Sequence, residues 1–61
     1  MTDAQKAARL RMAIDALYDA DALIQEALGD SDVRYETHNR IQDLVDDLTA
    51  DVIEFEGKLN G

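Results

Sequence analysis

The feature that most constrains this chain is an apolar beat of seven residues that runs twice and is broken once. It comprises Leu10, Ile14, Leu17, Ile24 and Leu28 in the first half, and Ile41, Val45, Leu48, Val52, Phe55 and Leu59 in the second. Two polar residues, Asp21 and His38, fall on the same beat, and the interruption is Leu28-Gly29-Asp30-Ser31-Asp32. Apolar side chains at three- and four-residue intervals line one face of a helix. The pattern therefore predicts an all-α fold: two amphipathic helices folded back as an antiparallel helical hairpin.

Local chemistry agrees with that reading. Nine alanines and no proline favour helix throughout. Thr2 and Gln5 have capping-box spacing, and Gly29 stands where a left-handed residue ends a helix cheaply. Asp30 or Ser31 can cap the second helix. The expected organisation is one domain over 1–61, with a helix over about 3–28, a turn at 29–31 and a helix over about 32–57. Gly57 and Gly61 are expected in a fraying tail.

Sixty-one residues are few for a core. A chain of this size buries only about 60% of the surface it exposes when unfolded, so a staple or a partner is usually needed. With no cysteine and one histidine, disulfides and thiolate zinc sites are excluded and no metal or cofactor is expected. No apolar run approaches the roughly 20 residues that cross a bilayer, and a cytoplasmic protein with no membrane partner is expected. The apolar faces are also wider than a two-helix seam requires. Ala13, Ala20 and Ala27 alternate with the leucines, while Met12, Leu23, Leu44 and Ile53 stand off the main beat. These four are the candidate self-association residues of a homodimer that completes a four-helix bundle.

The opening Met1-Thr2-Asp3-Ala4-Gln5-Lys6 and the alternating alanine and leucine layers, over the first helix and the turn, resemble the Rop-type RNA-binding regulators of plasmid copy number. The resemblance implies a hairpin that dimerises antiparallel and grips RNA through the exposed face of its first helix. Lys6, Arg9 and Arg11 are the basic residues available there.

Charge is the second informative layer. Fourteen acidic residues against six basic ones leave a net charge of −8. Folding about Asp30 brings Lys6, Arg9 and Arg11 beside Asp51, Glu54 and Glu56, which would help to set the antiparallel register. Asp15, Asp19, Asp43, Asp46, Asp47 and Asp51 remain as an acidic belt around the middle of the hairpin. Several of these are four residues apart, where like charges cost a few tenths of a kcal/mol per pair. They are the candidate docking residues for a basic protein surface. One form of this reading is an inhibitor whose carboxylates imitate the phosphates of a nucleic acid. Asp21 and His38 fall at one level of the hairpin and form a candidate register pair, as polar residues in coiled-coil seams do. The sequence thus points to a non-catalytic interaction or regulatory module. A Rop-like RNA-binding regulator and a structural subunit of a larger assembly or virion stand as alternatives, and direct nucleic-acid binding is the weaker option because few basic residues converge.

Overall fold

The structure, a computed structural model, describes residues 1–60, without the side chain of Asn60. Two helices, α1 (Asp3–Leu28) and α2 (Val33–Asn60), pack as an antiparallel hairpin of 47 × 14 × 13 Å. No strand occurs among the described residues, and neither helix is long and apolar enough to cross a membrane.

Each boundary has a local cause. Thr2 caps α1: its Oγ1 accepts from the Gln5 amide at 3.1 Å, while Gln5 Oε1 accepts from the Thr2 amide at 2.9 Å. Two amides that would otherwise lack partners are satisfied reciprocally. At the other end Gly29 adopts φ 56 and ψ −120, a region that an L side chain resists. Its amide still donates to the Gln25 carbonyl at 3.0 Å. The turn runs to Asp32, one residue beyond expectation. The Ser31 carbonyl accepts from the Arg34 amide and Ser31 Oγ accepts from the Val33 amide, so α2 begins at Val33. The second helix also outlasts its expected end at 57. Gly57 takes ordinary helical geometry with open space where a Cβ would stand, and Lys58 complements the helix dipole in the last turn. Gly61 lies outside the described residues.

The seam is thin. Ala7, Val45 and Val52 are the buried apolar residues, and Val45 is the most enclosed at 2% exposure. Leu10, Ile14, Leu17, Ile24 and Leu28 meet Ile41, Leu48 and Phe55 as half-buried neighbours. Two members of the beat depart from it. At the turn end Thr37 points inward and His38 sits at the rim. Leu59 is exposed because it lies level with the first residues of α1, where only small alanines oppose it. Replacing Gly29 with alanine should cost about 1–3 kcal/mol, since the side chain has room but the backbone conformation does not suit it. Urea unfolding measures this, and an unchanged midpoint would show that the turn relaxes freely.

Candidate interaction surfaces

Near the turn, the helices are joined by a polar network. His38 Nδ1 lies 2.8 Å from Asp21 Oδ2. An ionised carboxylate only accepts, so Nδ1 carries the hydrogen. Asp21 is held in turn by Gln25, whose Nε2 donates to Asp21 Oδ1 at 3.2 Å and to the Arg34 carbonyl at 3.1 Å. The Asp21 side chain is 14% exposed and that of His38 48%, so the pair sits at the seam's edge, half-covered on one side. Such a contact selects one vertical alignment of the helices, because a shift of one turn leaves the carboxylate against apolar surface. The sequence alone does not single out Gln25 and Arg34. The available signal is the four-residue spacing of Asp21 and Gln25, which places them on one helix face.

Towards the termini the helices are joined again by the Arg11–Glu56 ion pair. Lys6 and Lys58 lie over the Phe55 ring with Nζ at 5.4 and 5.2 Å from its centroid, a cation–π arrangement. Of the acidic residues expected beside the basic start of α1, Glu56 is paired, while Asp51 and Glu54 make no cross-helix ion pair among the described residues. Among the described residues the cross-helix ion pair at this end is made by Glu56, because it sits at the seam's edge while Glu54 projects outward.

The six candidate docking carboxylates are all exposed. On α1, Asp15 lines a groove with Ile14, Val52 and Ile53, and Asp19 follows one turn on. On α2, Asp43, Asp47 and Asp51 follow one another at four-residue spacing, and Asp46, which accepts from Gln42 Nε2 at 3.3 Å, shares a helix face with Ile53, seven residues on.

The self-association residues also divide. Met12 and Leu23 are 64% and 66% exposed. Eleven residues apart, they share one shoulder of α1 beside the row Ala13, Ala16, Ala20 and Ala27. Leu44 flanks the same broad face from α2. Ile53 cannot join them, because nine residues are about two and a half turns and place it on the opposite side from Leu44. It lines a groove of about 380 Å³ with Arg11, Ile14, Asp15, Thr49, Val52 and Glu56. The hairpin thus has two unlike faces. On the alanine side, the row Ala13, Ala16, Ala20 and Ala27 is itself uncharged, and Leu44 shares its helix face with Asp51, seven residues on. The other face is grooved and edged by carboxylates.

Among the described residues no group of three or more His, Cys, Asp or Glu is arranged to hold a metal ion. No family model, curated protein or solved structure matches this chain.

The Asp21–His38 contact should behave as a structural cross-link. A double-mutant cycle with Asp21→Ala and His38→Ala is expected to return a coupling of about 1 kcal/mol in denaturant unfolding. His38→Leu should stay fully helical by circular dichroism. Complete loss of helicity in that variant would contradict a role confined to register.

Proposed function

We propose that this chain is a non-catalytic interaction module that pairs with a second copy to complete a four-helix bundle and docks a basic partner surface through Asp15, Asp19, Asp43, Asp46, Asp47 and Asp51. The observation that carries the reading is incomplete burial. The hairpin exposes 4486 Å², whereas a compact chain of 6.8 kDa would expose about 4,000 Å². Leu23, Met12 and Leu44 belong to that surplus, and the alanine rows beside them let a second backbone approach closely. A face 47 Å long and 14 Å wide offers roughly 650 Å² per partner, near the lower end of specific interfaces.

Carboxylate placement supports the second half of the proposal. Asp15 and Asp19, Asp43 and Asp47, and Asp47 and Asp51 each repel within a helix. A basic partner relieves that repulsion, so part of the binding energy is stored in the free module. The RNA-binding alternative has less support in the geometry. Arg11 is engaged by Glu56 and Lys6 rests over Phe55, which leaves Arg9, of the three first-helix cations, to meet a phosphate backbone unaided.

Sedimentation equilibrium should return a dimer at micromolar concentration, and Ala20→Glu should shift it toward monomer. Neutralising the six aspartates to asparagine should abolish capture of basic partners while raising helix stability by a few tenths of a kcal/mol per relieved pair. A wild-type monomer would overturn the bundle. Partner capture that survives the asparagine variant would overturn the docking role.

A further inference from the structure

We infer that the grooved face around Ile53 is a seat for a basic amphipathic helix; this rests on the basic-partner reading above and specifies where and how such a partner binds. The groove has an apolar floor of Ile14, Val52 and Ile53. Ile53 is 65% exposed, although it adjoins the buried seam residue Val52 in the chain. Beyond the Arg11–Glu56 pair a second groove of about 360 Å³ continues along Ala4, Ala7, Ala8 and Leu59. The two share Arg11 and Glu56 and form one track from Ala4 to Asp15. Eleven residues of helix rise about 17 Å, or three turns. That length suits a partner helix presenting apolar anchors at i, i+3 or i+4, and i+7.

Charge selects the occupant. Asp15 lines the groove on the α1 side, with Asp19 one turn further along. On the α2 side Glu56 lines it, paired with Arg11, and Asp46, which accepts from Gln42 Nε2 at 3.3 Å, lies on the helix face of Ile53, seven residues before it. A second copy laid face to face here would set these carboxylates against their own kind. A helix with lysine or arginine flanking an apolar row instead meets aliphatic floor at its centre and carboxylate on both edges. The alanine face carries a carboxylate on its α2 edge alone, where Asp51 shares the helix face of Leu44. The two faces are therefore assigned to different occupants, and a dimer closed through the alanine side leaves this groove open.

The test uses the full chain and a synthetic helical peptide with leucine at i, i+3, i+4 and i+7 and lysine elsewhere, beside a control in which serine replaces leucine. Amide shifts in NMR titration are expected at Ile14, Asp15, Thr49 and Ile53. Ile53→Ser should weaken the leucine peptide at least tenfold, and Asp15→Asn with Asp46→Asn should weaken it and flatten its salt dependence. Leu44→Ser, on the other face, should leave peptide affinity unchanged. Because Ile53 is exposed, unchanged circular dichroism is expected for its variant; should it lose helicity, Ile53→Thr takes its place. Equal affinity for the serine control, or shifts confined to the alanine face, overturns the groove. Binding that depends on the carboxylates but ignores residue 53 also overturns the groove while sparing the basic-partner reading. Binding that ignores both overturns the two together.

Discussion

A single seam between two helices is the interaction on which everything else in this molecule depends. Two cylinders in contact cover one stripe of each other and no more, so among the described residues only Ala7, Val45 and Val52 become buried. An apolar seam this narrow resists separation but resists sliding poorly, because neighbouring layers of leucine, isoleucine and valine are nearly interchangeable. Polar contacts at the two ends supply the missing specificity. The Asp21–His38 contact sits near the turn and the Arg11–Glu56 pair near the termini. Each joins α1 to α2 across the seam.

That economy has a thermodynamic consequence. Small domains are stable by a narrow margin even when compact, and this hairpin remains extended. Anything that covers an exposed face adds directly to the stability of the folded state, by mass action. Association and folding are thus linked in the proposed function. A second copy on the alanine side contributes apolar burial. A basic helix on the grooved side contributes burial together with relief of repulsion among aspartates. The two contributions act on opposite faces, so one need not displace the other.

Much of the fold is legible in the residues. The apolar period, the capping pair Thr2 and Gln5, and Gly29 at the break each report a local constraint, and local constraints act before any tertiary contact forms. Boundaries set by competition are less legible. Gly57 reads in the sequence as the start of a fraying end, yet nothing near it demands a left-handed residue, so α2 continues through it. His38 and Thr37 both suit the apolar period. The seam takes Thr37, and His38 lies at the rim, where its ring reaches Asp21 while staying half in water.

What the amino-acid order determined by itself is the pair of helices, their point of reversal and their excess of apolar and acidic surface, because periodicity, capping and charge are properties of neighbours along the chain. What only the tertiary structure decided is how those surfaces are divided. Once α1 and α2 share one seam, every remaining residue is assigned to an outer edge or to one of two faces. That step separates Ile53 from Leu44 and brings Asp15 to one groove with Ile53. The physical reason is that a helix face is a direction relative to its own axis, and it acquires a neighbour only when a second axis is laid beside it.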